Sequence, residues 1–186
     1  MKDQKDQSRA EILAAASRRF RADGISATGI AGIMQEAHKT NGAFYGHFGS
    51  KEDLVCEVLK DALQRQAEDL SASASEGTLR TALANYLSVA HRDHPGEGCP
   101  SAALLPEISR QPLATRQAYE ENLKSILKSL SVGLGGGQHQ MRKAMAIFSM
   151  AIGALQLARA VPSAEYAEIL LKSALDEAEM MLKDQA

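Results

Sequence analysis

Residues 36–54 read EAHKTNGAFYGHFGSKEDL and contain the starts of two predicted helices. Thr40 is placed to cap a short helix over Asn41–His47, and Gly49 is placed to end it. Ser50 then caps a longer helix that continues with an apolar repeat of helical period. The sequence therefore predicts one short helix held between two turns.

This short helix has an inner and an outer face. Phe44 and Phe48 are one helical turn apart, so they are expected to pack into a core. The outer face carries small or polar residues that suit contact with base edges in a major groove. These residues are Thr40, Asn41, Gly42, Ala43 and His47. A second short helix precedes them, with Thr28 as its predicted N-cap, and the pair predicts a helix-turn-helix unit.

The composition of the whole chain favours an all-α fold. Of its 186 residues 45% are hydrophobic and only 4% aromatic, and the apolar residues are mostly helix formers such as Ala, Leu, Ile and Met. Ser8 and Glu11 have the spacing of a capping box and predict a first helix over about Ser8–Asp23. Apolar spacing predicts about nine helices and no strands, with a Pro- and Gly-rich loop at His91–Pro100.

A small polar segment, Ser71–Gly77 (SASASEG), predicts a boundary between two modules. The boundary places the helix-turn-helix module in residues 1–49. A connecting helix follows in residues 50–70, and a second helical module occupies residues 71–186.

The helix predicted over His139–Val161 is apolar or small on almost every side. Such a helix must bury more than one face, and the simplest partner for the second face is another copy of the chain. We therefore expect a homodimer through the last two helices, about residues 139–183. The alternative is that this helix forms the centre of a monomeric bundle.

The formal net charge is −2, so bulk charge does not indicate nucleic-acid binding. Local charge does, because no carboxylate occurs over Ala37–Lys51 while this window holds two lysines and two histidines. An anion can approach such a surface without repulsion. The cations are Lys39, Lys51, and, when protonated, His38 and His47.

In these residues the chain resembles the tetracycline-repressor-type (TetR/AcrR) family of transcription regulators. The matching positions are Ala37, Thr40, Gly42, Phe44, Tyr45, His47, Phe48, Ser50, Lys51, Glu52 and Leu54. The preceding residues 9–34 also look like the first helix of the family and its entry to the second. Two positions depart, since His38 stands where the family has Gly and Lys39 where it has Val. The first departure implies a different turn or a strained residue.

The resemblance implies a homodimer that binds a palindromic double-stranded DNA operator, with a pocket for a small-molecule effector in the C-terminal helices. Ligand binding would release the DNA, which makes a repressor the expected kind of regulator. Candidate phosphate contacts are Thr28, Lys39, Tyr45, His47 and Lys51, and candidate base contacts are Thr40, Asn41 and Ala43, with Gly42 on the same face. The plain alternatives are that the threonines only cap helices, that Tyr45 is half-buried and that Lys51 is solvated.

The second module offers weaker candidates. Tyr86, Cys99, Phe148 and Gln156 are candidate ligand contacts. The Cys99 thiol at a helix start fits either an oxidant sensor or an inert cysteine. His91 and His94 beside Asp93 resemble a sparse metal cluster, although a solvated loop explains them as well.

We expect no metal site, no cofactor and no catalytic residue. An enzyme that uses His91, His94 or Cys99 is one rival interpretation, and a helical adaptor that binds another protein is a second. The polar N-terminus lacks a signal peptide, and the apolar run Ala144–Ala158 is too short to span a bilayer. A cytoplasmic protein is therefore expected.

Overall fold

The computed structural model describes residues 2–75 and 79–183. Over these residues the fold is all-α with no strand, which confirms the predicted class. The described part has ten α-helices and a 3-10 turn at Pro95–Glu97, where the sequence predicted about nine helices. The helices are α1 Lys2–Asp23, α2 Ile30–Glu36, α3 Asn41–Phe44, α4 Lys51–Ser75, α5 Leu79–Tyr86, α6 Val89–Asp93, α7 Pro100–Ile108, α8 Leu113–Gly133, α9 Gln138–Ala160 and α10 Ala164–Lys183.

The predicted capping box at the start of the first helix is wrong. α1 begins at Lys2 and runs through both Ser8 and Glu11. The Glu11 carboxylate accepts a hydrogen bond from Gln7 at 3.1 Å and pairs with Lys39 at 2.7 Å instead of capping. Residues 4–7 are polar and exposed, so no apolar periodicity marks this part of the helix.

The connecting helix is longer than predicted. Its N-terminal cap is confirmed, because the Asp53 N–H donates to Ser50 Oγ at 3.0 Å. It ends at Ser75 rather than near Leu70, so the predicted linker is helical up to that point. Alternating Ser and Ala are compatible with a helix, since Ala has the highest helix propensity. Residues 76–77 of the predicted linker lie outside the described residues, and the domain boundary stays a prediction.

The predicted loop at His91–Pro100 is wrong for most of its length. Its first residues belong to α6, whose N-terminus is capped by Ser88 Oγ accepting the His91 N–H at 3.1 Å. The 3-10 turn follows at once, and Pro100 is already the first residue of α7. Pro suits a first helical position because the missing N–H has no partner to lose there.

The last two helices form an antiparallel pair as predicted. They are separated by Pro162, and α10 is capped by Ser163 Oγ, which accepts the Tyr166 N–H at 3.2 Å. One buried core runs from the N-terminal helices along α4 to α8 and α9. No helix among residues 2–75 and 79–183 is long and apolar enough to cross a membrane.

Candidate nucleic-acid interface and ligand cleft

The turn between α2 and α3 is closed by backbone hydrogen bonds. The His38 N–H donates to Gln35 O at 3.1 Å and the Lys39 N–H donates to Met34 O at 2.8 Å. His38 takes a φ of 54°, and in the described part of the chain it is the only residue other than glycine with a positive φ. The sequence predicted either a different turn or a strained residue at His38. The structure has the strained residue, because a glycine would adopt this φ without strain.

α3 is a single turn and is shorter than predicted. It ends at Phe44, and the residues up to His47 form a turn rather than helix. Phe44 and Phe48 are buried with ring centroids 5.6 Å apart, which confirms the predicted inner face. The neighbouring Tyr45 is 70% exposed and meets the Phe44 ring only edge-on. The unit therefore holds its aromatic core inward and presents the opposite face to solvent.

Most of the predicted DNA contacts lie at this surface. Thr40, Asn41, Gly42 and Tyr45 are exposed. Lys39, Ala43, His47 and Lys51 are half-buried. Their predicted contacts with bases and phosphates stay predictions. The exposed residues carry hydroxyl and amide groups, which are groups that hydrogen-bond to DNA.

Thr28 is the exception, and its predicted role as a phosphate-binding cap is wrong for its side chain. The residue is only 1% exposed, and its hydroxyl donates inward to Gly24 O at 2.7 Å. The N-cap of α2 is Gly29. A threonine near the start of a predicted helix can be its N-cap or, as Thr28 is, a buried residue one position before the N-cap, and the sequence alone does not distinguish the two.

The two lysines of the interface differ in their partners. The Lys39 ammonium is engaged by Glu11, and this hydrogen bond lowers the pKa of the Glu11 carboxyl. Lys51 makes no ion pair with any residue that the structure describes. Lys51 is therefore the freer cation for a phosphate.

One residue that braces this module escaped the sequence analysis. The Glu107 carboxylate, in α7, accepts the Ile25 N–H at 3.0 Å, the Ser26 N–H at 2.7 Å and the Ser26 hydroxyl at 2.8 Å. Burial acts to raise the pKa of Glu107, but the hydrogen bonds from Ser26 and Ile25 outweigh it and lower the pKa. These partners are far apart in the chain, so no motif signals the contact.

A cleft of about 620 Å³ opens between α1, α4, α5 and the segment that leads into α7. Its floor includes Gln66, Tyr86, His91 and Cys99. Tyr86 and Gln66 also border an apolar recess of about 40 Å³, which Phe148 lines on the far side. Three of the four predicted ligand residues, Tyr86, Cys99 and Phe148, are thus brought to one place.

Gln156 is the fourth, and it does not line the cleft or the recess. Its side-chain amide donates to Ala102 O at 3.3 Å. The predicted Cys99 sensor stays a prediction, because the thiol is buried and its hydrogen bond is to the Gln66 amide, with Nε2–Sγ at 3.2 Å.

The histidines of the suspected metal cluster are engaged in local hydrogen bonds. His91 Nδ1–H donates to Tyr86 O at 2.7 Å and His91 Nε2 accepts the Cys99 N–H at 2.9 Å. Burial lowers the pKa of His91, which keeps it neutral. His94 Nδ1–H donates to Ala90 O at 2.9 Å. Within the described ranges no group of three His, Cys, Asp or Glu residues is placed to hold a metal ion.

An all-α chain whose N-terminal helix-turn-helix module presents a short exposed helix has the architecture with which proteins of this motif enter a major groove. Residues 12–58 match the model of the family described as bacterial regulatory proteins, tetR family. The resemblance drawn from the sequence is thereby confirmed. The matched residues lie in the N-terminal module and the start of α4, and the whole chain has the fold of solved tetR-family regulators.

Individual proteins support this assignment. The chain is 39% identical over 79 residues to the probable HTH-type transcriptional regulator ArpR of Pseudomonas putida, a match of 42% of this chain and 37% of that protein. A TetR-family transcriptional regulator from Agrobacterium tumefaciens superposes with a TM-score of 0.75 at 22% identity, covering 93% and 98% of the two chains.

FadR from Bacillus subtilis, solved in complex with stearoyl-CoA, superposes with a TM-score of 0.70 at 18% identity, covering 93% and 97%. The matches to the curated relatives span 35% to 44% of the length of those proteins. The family model matches the helix-turn-helix module, and the likeness in fold extends over the C-terminal helices.

Proposed function

We propose that this protein is a ligand-responsive transcriptional repressor that binds a palindromic operator as a homodimer and is released by a small molecule. The observation that carries the proposal is the exposed polar face of α3, held out by the buried Phe44 and Phe48. A face of this size and polarity fits a major groove, and α2 braces it from behind. A cytoplasmic location and the absence of catalysis belong to the same proposal.

Roles follow from chemistry and exposure. Asn41 is exposed and has the amide that pairs with the N6 and N7 atoms of adenine, while the Ala43 methyl suits contact with a thymine methyl. Thr40 lies beside them, and Tyr45 and Lys51 flank the helix as phosphate contacts. Lys39 can contribute only if its ion pair with Glu11 opens on DNA.

The dimer is assigned to α9 and α10. Both helices keep large apolar side chains exposed, which is unusual for a surface that stays in water. These residues are Met145, Leu157, Tyr166, Ile169 and Met180. Pairing the two helices with a second copy gives a four-helix bundle and covers these side chains. In the dimer the two copies of α3 should lie about 34–36 Å apart, which matches successive major grooves.

The ligand site is assigned to the cleft and its apolar recess. The FadR structure with stearoyl-CoA is an example of a small molecule held by a protein of this fold. The cleft lies between α1 of the DNA-binding module and α5 of the C-terminal helices, with α4 forming one wall. A ligand there contacts both modules at once, so its binding energy can bias the position of α3.

The test is a selection of genomic DNA fragments by the purified full chain at two salt concentrations. We expect a symmetric binding site and an affinity that falls steeply with salt, since phosphate contacts release counterions. Lys51→Ala should weaken binding to all fragments and lower the slope of log affinity against log salt by about 1 per protomer.

The matched control is Lys124→Ala, because Lys124 is an exposed lysine of α8 paired with Glu120 at 2.5 Å and lies outside the proposed dimer helices. This control should leave both affinity and slope unchanged. Failure to enrich any duplex, together with a monomeric mass in solution, would contradict the proposal and favour a helical adaptor.

A further inference from the structure

Arg21 places a positive charge in the cleft without an ion pair among the described residues, although Glu97 on the same wall acts on it from a greater distance. Its guanidinium donates from Nε to Ser17 O at 3.1 Å and from Nη1 to Gly98 O at 2.8 Å. Among the described residues it makes no ion pair, and burial lowers its pKa, although arginine stays charged at neutral pH. Desolvated charges in proteins are normally paired, so this cation favours an anion in the cleft.

The other two arginines of the cleft are already neutralised. Arg18 pairs with Glu36 at 2.9 Å and Arg65 pairs with Asp61 at 3.0 Å. Both pairs lie nearer the rim, where the side chains are more exposed. Arg21 is therefore the arginine of this site whose charge is available to a ligand.

Two neutral hydrogen-bonding groups on the same floor also lack a strong partner. The Tyr86 hydroxyl is enclosed and has no oxygen or nitrogen partner among the described residues, with the Cys99 thiol as a weak neighbour. Among the same residues the Gln66 amide hydrogen-bonds only to the Cys99 thiol, which is also a weak partner. An enclosed hydroxyl without a partner loses free energy that an acceptor on a ligand restores.

Beyond these groups the site becomes apolar. The recess is lined by Leu83, Ile147 and Phe148, and Tyr86 and Gln66 stand between it and the cleft. A molecule that fills both spaces therefore needs an apolar end for the recess and an acceptor for the donors at its mouth.

We propose that the cleft binds an amphipathic monocarboxylate. Its carboxylate pairs with Arg21 and accepts hydrogen bonds from Tyr86 and Gln66, and its apolar chain lies along the cleft with only its end at the recess of about 40 Å³. A single negative charge matches the single guanidinium without an ion pair, and each further negative charge on a ligand, as in a phosphate monoester, adds repulsion from Asp69 and Glu97 on the cleft wall. The proposal names the class of the effector, so it rests on the proposed function.

The test compares three ligands of equal chain length on the purified full chain. Octanoate, octanamide and octylammonium are titrated by calorimetry, and the shift in melting temperature is recorded with each. Octanoate should bind at least about tenfold more tightly than octanamide, because charge-assisted hydrogen bonds are roughly twice as strong as neutral ones. Equal affinity for octanamide, tighter binding of octylammonium, or no binding of any of the three would overturn the proposal.

Variants locate the site. Arg21→Gln should remove the preference for octanoate over octanamide, whereas Arg21→Lys keeps the charge and should retain most of it. Tyr86→Phe deletes only a hydroxyl without a partner, so it should weaken octanoate binding several-fold without lowering the melting temperature. Arg65→Gln is the matched control in the same cleft, and a loss equal to that of Arg21→Gln would overturn the assignment.

Duplex binding measured on the same samples separates the two proposals. Retained operator binding without any preference for octanoate overturns the effector class and leaves the repressor intact. Octanoate binding that depends on Arg21, in a chain that binds no duplex, supports the site and contradicts the repressor.

Discussion

The helix-turn-helix unit and the cleft are built from contacts of different range along the chain. The turn before α3 is closed between near neighbours such as Met34 and Lys39, and its core is formed by Phe44 and Phe48. At the cleft, by contrast, Arg21 bonds to Gly98 and Gln66 contacts Cys99. The first region is a local unit, and the second exists only where distant segments meet.

Because of this difference, the stability of the two regions should respond to different kinds of substitution. A local unit is held by a few buried side chains, so one large truncation should disable it. The floor of the cleft depends on close approach between segments, so small additions of volume should disturb it most. Four substitutions test this contrast, beginning with the largest expected effect.

Phe44→Ala should destabilise the chain by about 3–5 kcal/mol, because it leaves a cavity in the core of the N-terminal module. Phe44 is fully buried. Chemical denaturation measures the free energy of unfolding, and operator binding should be lost with it. The control is Tyr45→Ala at the adjacent exposed position, which should weaken DNA binding while changing stability by less than about 0.5 kcal/mol. Similar losses of stability at both positions would contradict the inward and outward faces of α3.

Gly98→Ala should cost about 1–3 kcal/mol, because a Cβ there would lie 2.3 Å from His91 Nε2. The ring of His91 cannot give way freely, since both of its nitrogens are hydrogen-bonded. Thermal unfolding measures the loss, and octanoate binding should weaken with it.

Its counterpart in the other region is Gly42→Ala. A Cβ at Gly42 meets no atom within 4 Å. This variant should gain up to about 1 kcal/mol from helix propensity and leave the cleft unchanged. If DNA approaches the backbone of α3 closely, the added methyl should lower operator affinity despite the gain in stability.

A Gly98→Ala variant as stable as the wild type would contradict the tight floor of the cleft.

Glu107→Gln should destabilise the chain by about 1 kcal/mol at neutral pH, because the amide replaces one of the carboxylate acceptors of Ile25 and Ser26. The pKa of Glu107 is lowered in the folded chain. Its contribution is therefore complete above the unfolded carboxyl pKa of about 4.3 and is lost as the pH falls through the lower folded value.

Urea unfolding of both proteins between about pH 3 and pH 7 measures this dependence. The difference in the free energy of unfolding between the wild type and Glu107→Gln should be largest at neutral pH and should disappear in acid. Glu121→Gln is the control, since Glu121 is exposed on α8 and should show no such gap. A gap that widens in acid would contradict the role given to the carboxylate.

The same contrast explains which parts of the molecule were predictable. The inner face of α3 and the Ser50 cap follow from spacing within a few residues, and the structure confirms them, whereas Ala43 and His47 of the predicted outer face are half-buried. The Glu107 brace and the unpaired Arg21 were not predicted, because partners far apart leave no periodic trace in the sequence. Thr28 shows a limit of local patterns as well, since spacing does not tell whether a hydroxyl caps a helix or points inward.

His38→Gly carries the smallest expected effect and tests the local unit at its turn. His38 is held at a φ of 54°, which costs a residue with a Cβ about 1–2 kcal/mol. Glycine removes this strain but gives the unfolded chain about 0.5–1 kcal/mol more conformational entropy. A net stabilisation of about 0.5 kcal/mol is therefore expected, measured by chemical denaturation.

The control for this substitution is Gln35→Gly, at an exposed position inside α2. It should lose about 1 kcal/mol, because glycine there relieves no strain. The tetracycline-repressor-type pattern has glycine at the position of His38. Operator affinity of the wild type and of His38→Gly therefore shows whether the imidazole contributes to DNA binding. If His38→Gly is more stable but binds DNA more weakly, the strain is retained because the side chain contacts the duplex. If the variant is instead less stable by 1 kcal/mol or more, the imidazole stabilises the turn and the strain assigned to it is wrong.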